Sequence, residues 1–214
     1  GVGIAFPGEV SADRDYVIRS TVLGVKNLSI AEIQKHFSYP VYVEYGANAA
    51  GFGTVWRSKE LKDAVYVIVT NNGVAGSIIL NNEIYHGRTG RAGAFGHITL
   101  NPSGRKCFCG ACGCWSAYNA LNALTGLDET DLDGFFEKVN NEDPDAIAKW
   151  DEYLTYFADG LSTVSMSFDI DIVIGGPLAV YLEPWLDTII SKMQSRPTLN
   201  GENISIHLDT KSES

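Results

Sequence analysis

Four cysteines and one histidine near the middle of the chain are the residues best suited to chemistry. All four cysteines fall within eight residues, and His97 lies ten residues before the first of them; they are Cys107, Cys109, Cys112 and Cys114. A short apolar segment and an Asn-Pro-Ser-Gly turn lie in between, so the chain can fold back and bring the imidazole over the thiols. Soft thiolates and one imidazole suit a tetrahedral Zn²⁺. The pattern therefore predicts a zinc site.

Disulfides and free reactive thiols are the alternatives for the same cysteines. A disulfide requires Cβ atoms about 3.8 Å apart in a suitable orientation, which the C-x-C-x-x-C-x-C spacing meets only with awkward loops. Scaffolds that depend on disulfides are also usually small and secreted, whereas this chain has 214 residues. We therefore favour zinc in a closed, structural site with three thiolates and one imidazole. Spacing alone does not decide which cysteine is left over.

The motif as a whole resembles the signature of the ROK family of repressors, open reading frames and sugar kinases. It reads G-x-x-G-H, ending at His97, followed by C-x-C-G-x-x-G-C. In that family the histidine and three cysteines hold one zinc ion. The resemblance implies that His97, Cys107, Cys109 and Cys114 are the ligands, and that Cys112 occupies a variable position.

The resemblance also locates the residues of a sugar kinase. Such an enzyme needs a carboxylate base beside the sugar hydroxyl. The family places this base in an Asn-Asp-Ala-Asn motif, and Gly46 stands here where the catalytic Asp belongs. Ala94 and Ser116 replace two sugar-binding glutamates of the family. The resemblance therefore implies no catalytic residue, and it leaves Asn48, His97 and Ser116 as candidate ligand contacts.

Two glycine-containing segments resemble the nucleotide-binding loops of the family. They are residues 70–76 and the Gly175-Gly176 pair after a predicted strand. The resemblance implies that Gly73, Gly175 and Gly176 are remnants of such loops. Glycines at strand ends also serve tight turns and close packing, so the structural explanation stays open beside the functional one.

Composition restricts the class of protein. Apolar residues make up 45% of the chain and charged residues 20%, as in ordinary globular proteins. The formal net charge of −10 argues against nucleic-acid binding by this segment itself, because DNA affinity depends largely on Lys and Arg. No apolar run reaches the roughly 20 residues of a membrane helix, and no signal-peptide pattern is present. Clustered thiols without a secretion signal favour the cytoplasm.

The two ends of the sequence suggest a piece of a longer protein. The chain opens within an apolar strand without Met and closes shortly after another strand, at residues 204–208. The resemblance implies that the family's first phosphate-binding hairpin precedes Gly1 and that a closing helix follows. We expect residues 1–60 to be the remainder of an N-terminal ROK subdomain and residues 61–214 to be the C-terminal subdomain with the zinc loop.

The elements that must position these residues alternate between strands and helices, which predicts an α/β fold. The resemblance implies the actin-like, ribonuclease H-like ATPase fold of ROK sugar kinases. We expect a strand and turn at residues 1–8, a loop from there to about Leu28, and an Asn81-Asn82 hairpin turn. A capping box joining Ser29 and Glu32 is expected at a short helix. Longer helices are expected at residues 46–56, 115–124, 132–140, 145–168 and 178–195.

Three functions are consistent with these patterns. We favour the effector-binding and oligomerisation part of a ROK-type repressor, a homo-oligomer that binds a sugar or sugar derivative. Its DNA contacts would come only from a winged-helix domain outside this sequence. The alternatives are an ATP-dependent sugar kinase with a displaced base, such as Glu44 or Glu9, and a scaffold without a ligand.

Overall fold

The computed structural model describes residues 1–20, 22–126, 131–201 and 203–211. The chain divides into two compact units. The first comprises Gly1–Tyr66 and Gly76–Gly93, and the second comprises Val67–Ala75 and Ala94–Ser214. Residues 76–93 thus belong to the first unit, whereas the sequence analysis grouped them with the second domain. The domain assignment stays a prediction, and its last residues, 212–214, lie outside the described part of the chain.

The first unit contains two small sheets and two helices. Strands β1 and β5 are parallel, and β2, β3 and β4 form an antiparallel sheet. Inward-facing residues of these strands, together with Ile30 of the first helix, form a core of Phe6, Val10, Val17, Ile30 and Val43. The elements are β1 (Val2–Phe6), β2 (Glu9–Val10), β3 (Tyr16–Ser20), β4 (Val25–Ser29), α1 (Ile30–Gln34), β5 (Val41–Tyr45) and α2 (Gly46–Arg57).

Two sequence predictions for this unit were wrong. The segment after Pro7 is not a single loop, because it forms the sheet of β2, β3 and β4. The capping box is also absent, since the Ser29 side chain makes no capping bond and the Ile30 N–H donates instead to the Asp15 carbonyl at 2.9 Å. A tertiary contact thus satisfies the first orphan donor of α1.

Small residues allow α2 to pack closely on its neighbours. A Cβ added to Gly51 would lie 2.8 Å from the Tyr66 Cβ and 3.0 Å from a methyl group of Ile79. Real Cβ atoms do not approach this closely, so only glycine fits there. The close packing holds fixed the helix that starts at Gly46.

Five strands form the largest sheet, in the order β10-β9-β6-β7-β8. Strand β9 is parallel to β10, and β7 and β8 form an antiparallel hairpin. The turn residues of this hairpin, Asn81 and Asn82, have positive φ angles of 54° and 62°, as two-residue hairpin turns require. The predicted hairpin is therefore confirmed. The strands are β6 (Ala64–Thr70), β7 (Gly73–Leu80), β8 (Glu83–Ile84), β9 (Asp171–Gly175) and β10 (Ile206–Asp209).

Helices of the second unit surround a buried aromatic core. The core includes Trp115, Trp150, Tyr153 and Phe157, each at most 3% exposed. A Cβ on Gly160 would lie 2.1 Å from the Trp115 ring, so this glycine makes room for the indole. The helices are α3 (Ser116–Asn119), α4 (Leu121–Thr125), α5 (Leu132–Asn140), α6 (Pro144–Phe168), α7 (Ala179–Leu182) and α8 (Leu186–Gln194).

The predicted helices α5 and α6 are confirmed, and two others are interrupted. Asp143 caps α6 by accepting the Asp145 and Ala146 N–H groups. The helix predicted at residues 115–124 breaks at Ala120, whose ψ of 148° is extended. The helix predicted at 178–195 is divided by a 3₁₀ turn at Glu183–Trp185. Proline within that turn cannot supply the N–H that a continuous helix needs.

Candidate metal centre and binding residues

Four side chains of the second unit converge to form a candidate metal centre. The ligand atoms of His97, Cys107, Cys109 and Cys114 all lie within 4.8 Å of one another. Cys107 Sγ is 3.9 Å from His97 Nδ1, and Cys109 Sγ is 3.7 Å from Cys114 Sγ. A tetrahedron with zinc–sulfur bonds of about 2.3 Å has edges of roughly 3.8 Å between sulfurs. The cluster therefore has the dimensions to bind a metal ion.

Backbone hydrogen bonds of the loop bring the cysteines together. Cys107 N–H donates to the Ala111 carbonyl at 2.8 Å, and Gly110 N–H donates to the Cys107 carbonyl at 3.0 Å. These two bonds close a tight knuckle around the first two thiols. An antiparallel bridge between Thr99 and Cys114 then places the last thiol beside the segment that follows His97. The loop thus holds its ligand groups in place through its own backbone.

Gly113 makes the close approach of the loop to itself possible. Its φ is +76°, and an added Cβ would lie 1.6 Å from the Asn101 carbonyl oxygen. Its N–H donates to the Arg105 carbonyl at 2.7 Å, and its own carbonyl accepts from the Leu100 N–H at 2.8 Å. No other residue type combines that backbone conformation with so little space.

Two thiols of the cluster differ in their ease of ionisation. Burial, together with the neighbouring thiols of Cys109 and Cys107, raises the pKa of Cys114 to about 12. At Cys109 a hydrogen bond with the backbone of Ala111 lowers the pKa instead. Thiolates are the species that bind metals, so a bound cation would have to displace the Cys114 proton. Cys112 is exposed and is not among the four converging groups.

The Ser116 hydroxyl, a candidate ligand contact, is engaged by the backbone. Its Oγ accepts from the Val74 N–H at 3.0 Å and donates to the Val74 carbonyl at 3.4 Å. The residue is 3% exposed, and a Cβ on Gly96 would lie 2.3 Å from the same Oγ. Both hydrogen-bonding functions of Ser116 therefore have a structural use. His97 is exposed, and its ring contacts Phe108 edge-on at 5.2 Å between centroids.

Packing accounts for two of the three glycines predicted as nucleotide-loop remnants. A Cβ on Gly73 would lie 2.7 Å from Ser116 Oγ. Gly176 has a φ of +86°, and its Cβ would lie 2.8 Å from the Val69 carbonyl oxygen. Gly175 is buried at the end of β9, opposite Asp209 of β10. The close contacts of Gly73 and Gly176 exclude larger side chains whether or not a nucleotide binds.

In the first unit, Glu44 is the centre of a polar cluster. Its Oε1 accepts from Asn48 Nδ2 and the Tyr45 N–H, both at 2.8 Å. Its Oε2 lies 3.0 Å from Arg14 Nε and 2.9 Å from His86 Nε2. Burial raises the pKa of Glu44, but these donors together outweigh it and lower the pKa. The carboxylate is therefore ionised, fully hydrogen-bonded and a poor proton acceptor.

Gly46, at the start of α2, is not required by its surroundings. A Cβ there would contact only the Phe6 carbonyl oxygen, at an ordinary 3.6 Å, and its φ is not positive. The fold would therefore accept a side chain at the position where the motif expects Asp. Asn48, two residues later in the same turn of α2, is 2% exposed, and within the described residues its Oδ1 has no hydrogen-bond partner.

Glu9, the other candidate for a displaced base, lies in an ion-pair cluster. Its carboxylate is 2.6 Å from Arg19 Nη2 and 3.2 Å from Arg91 Nη2. Burial raises its pKa, but the hydrogen bonds and charges of the two guanidinium groups together outweigh burial and lower the pKa. Sequence reasoning missed the roles of Arg14 and His86 at Glu44, because they lie 30 and 42 residues away from it. No local pattern links residues that far apart.

The sequence profile of the ROK family matches residues 1–209. The chain belongs to the ROK family. The resemblance found in the zinc-loop motif is thereby confirmed.

Relatives within the family include both enzymes and regulators. The chain is 31% identical to a glucokinase of Halalkalibacterium halodurans over 113 residues, which are 51% of this chain and 34% of the relative. It is 32% identical to the xylose repressor of Bacillus subtilis over 112 residues, 51% of this chain and 29% of the repressor.

Solved structures of the ROK family confirm the fold. A ROK glucokinase from Streptomyces griseus, in complex with glucose and AMPPNP, superimposes with a TM-score of 0.80 at 26% identity. The match covers 97% of this chain and 76% of that one. The predicted actin-like α/β fold of the ROK sugar-kinase type is therefore correct.

The matched part spans about a third of the length of the curated relatives. Among the described residues, no helix has the length and apolar character to cross a membrane.

Proposed function

We propose that this chain is the effector-binding part of a ROK-family transcriptional regulator of carbohydrate metabolism and has no kinase activity. The observation that carries the proposal is Gly46, a residue without a proton acceptor at the motif's catalytic position. Its backbone is free to accept a larger side chain, so the loss of the carboxylate is not imposed by the fold. A positioned base typically contributes about 10²–10⁴-fold to rate, and proton transfer requires it to be close to the hydroxyl.

Neither nearby carboxylate is suited to replace the missing base. Glu44 is held by Arg14, His86 and Asn48, and Glu9 is held by two arginines. Hydrogen bonds to the charged form lower the pKa of both, which weakens them as bases. This supports a protein that binds without transferring phosphate, and it weakens the kinase alternative.

The metal that we propose is a structural zinc ion. Three thiolates and one imidazole match zinc in type, number and spacing. His97 would bind through Nδ1, the ring nitrogen that faces Cys107 Sγ. A site with four protein ligands leaves no position for a reacting water, so the ion would stabilise the loop and take no part in chemistry.

The effector that we propose is a sugar or sugar derivative. Support comes from the relatives: one similar chain is a xylose repressor, and a similar structure holds glucose. Asn48 and His97 are the remaining candidate contacts, whereas the engaged hydroxyl of Ser116 makes it the least suitable of the three predicted. DNA contacts would come from a winged-helix domain outside this sequence, and we expect a cytoplasmic homo-oligomer.

The decisive experiment is an ADP-release assay on the full-length protein, with ATP and either glucose or xylose. We expect no sugar-dependent release from the wild type. Gly46→Asp should raise the rate, because it supplies a carboxylate where the motif has one, whereas Gly53→Asp, a matched charge on the same helix, should not. Sustained release by the wild type would disprove the proposal and establish the kinase indicated by the glucokinase relative.

Sugar binding separates a regulator from a scaffold. A ligand that binds the native state raises the melting temperature, so a sugar effector should stabilise the protein in a thermal-shift series. A protein that neither turns over nor is stabilised by any sugar of the series would be a scaffold.

A further inference from the structure

A cavity of about 460 Å³ lies in the second unit. Its walls come from the loop before Cys107 and from helices α3, α4 and α6. None of the predicted contacts Asn48, His97 and Ser116 lines it. The volume lies within the range of about 300–1,000 Å³ typical of small-molecule sites. Six of the lining residues supply its charges, polar groups and apolar surface: Arg105, Tyr118, Asn122, Leu124, Lys149 and Glu152.

The cavity brings two cations together in an acidic unit. The second unit contains 18 of the chain's 26 acidic residues but only 7 of its 16 basic ones. Two of those seven, Arg105 and Lys149, line this single cavity. Within the described part of the chain, Lys149 forms no ion pair or hydrogen bond. Its ammonium group is thus available to a negatively charged ligand.

Glu152 and Tyr118 orient the Arg105 side chain at the cavity wall. Its Nη2 lies 2.9 Å and 2.8 Å from the two carboxylate oxygens of Glu152. Its guanidinium carbon lies 5.0 Å from the centroid of the Tyr118 ring, and its backbone N–H donates to the Tyr118 hydroxyl at 2.9 Å. Tyr118 in turn stacks on Tyr156, with ring centroids 3.8 Å apart. A guanidinium fixed in this way loses little freedom when it binds an anion.

The remaining polar groups of the cavity are suited to form hydrogen bonds with hydroxyl groups of a ligand. Glu152 offers carboxylate oxygens, which only accept hydrogen bonds, and the Asn122 amide both donates and accepts. Leu124 and the Tyr118 ring add apolar surface. We infer that this cavity binds a small polyhydroxylated anion, such as a sugar phosphate or a sugar acid. The anionic group contacts Arg105 and Lys149, and the hydroxyls contact Glu152 and Asn122.

Isothermal titration calorimetry of the zinc-loaded full chain tests this site. The probes are glucose 6-phosphate and gluconate, with glucose and inorganic phosphate as the matched neutral and sugar-free compounds. Lys149→Ala should weaken binding of glucose 6-phosphate about tenfold or more, because one charge-assisted hydrogen bond is lost. Lys138→Ala removes the same charge from α5, outside the cavity lining, and should leave the affinity unchanged.

Four results would overturn the inference. The first two are that neither anion binds at millimolar concentration, and that Lys149→Ala binds glucose 6-phosphate as tightly as the wild type does. The third is that glucose binds as tightly as glucose 6-phosphate and loses that affinity in Lys149→Ala, since glucose bound at the proposed effector contacts Asn48 and His97 would not depend on Lys149. The fourth is that inorganic phosphate binds as tightly as glucose 6-phosphate and likewise loses that affinity in Lys149→Ala. The third result would remove the requirement for an anion, and the fourth would remove the requirement for hydroxyls. Glu152→Gln gives a further check, since it retains the shape of the site but should reduce the preference for glucose 6-phosphate over inorganic phosphate.

Discussion

Replacement of Gly113 by alanine tests how strongly the loop geometry controls the metal centre. The new methyl group would lie 1.6 Å from the Asn101 carbonyl oxygen, so the backbone must move by more than an ångström. That movement would break the hydrogen bonds from Gly113 N–H to Arg105 and from Leu100 N–H to Gly113. Each contributes about 1 kcal/mol, and the left-handed backbone adds roughly 1–2 kcal/mol of strain. We expect a loss of about 3–4 kcal/mol in the free energy of unfolding.

Gly110→Ala is the matched control within the same loop. Gly110 also has positive φ, +95°, but a Cβ there would meet nothing within 4 Å. It should therefore incur only the backbone strain, roughly 1–2 kcal/mol. Urea denaturation of both variants and zinc content measured with a chromogenic chelator are the assays. Equal losses in the two variants, with zinc retained in Gly113→Ala, would refute the argument from close packing.

Two further predictions concern the cysteines and Glu44. Cys109→Ser should release zinc and destabilise the protein severely, because structural zinc contributes directly to folding. The control Cys112→Ser should keep the metal. An unchanged melting curve after zinc loss in Cys109→Ser would contradict this prediction. Glu44→Gln should be less stable than the wild type at neutral pH. The pKa of Glu44 is lower in the folded protein than in the unfolded chain, where it is near 4.5. The carboxylate therefore stabilises the folded protein fully above the unfolded pKa, and this stabilisation disappears as the pH falls through the folded pKa. Denaturation at several pH values should show that the difference in the free energy of unfolding between Glu44→Gln and the wild type becomes smaller in acid. A difference that does not change with pH would exclude the carboxylate as its source.

Local patterns predicted the parts of the structure that depend on neighbouring residues. The Asn81-Asn82 turn and the helix α6 follow from short-range patterns, and both were identified correctly. The sheet of β2, β3 and β4 was missed because its strands are short and interrupted by polar residues. Their pairing depends on inward-facing side chains such as Val10 and Val17, which come from strands of only two and five residues and meet in one core.

Structure also changed the interpretation of single residues. Ser116 was predicted to contact a ligand, and the structure shows its hydroxyl bound to the backbone of Val74, 42 residues earlier. Glu44 was considered as a displaced base, and its four donors come partly from Arg14 and His86. Both outcomes result from contacts between segments that are distant along the chain.

The amino-acid sequence alone indicated the family, and the resemblance named His97 and three closely spaced cysteines as metal ligands, because such a knuckle depends on spacing within one loop. The sequence also showed that Gly46 has no carboxylate at the position that the resemblance assigns to the catalytic Asp, since the absence of a functional group is visible in the residue itself. Only the folded chain decided which polar groups are free and which are engaged, and which charges share a cavity. These properties depend on desolvation and on partners far away in sequence, which no local pattern encodes.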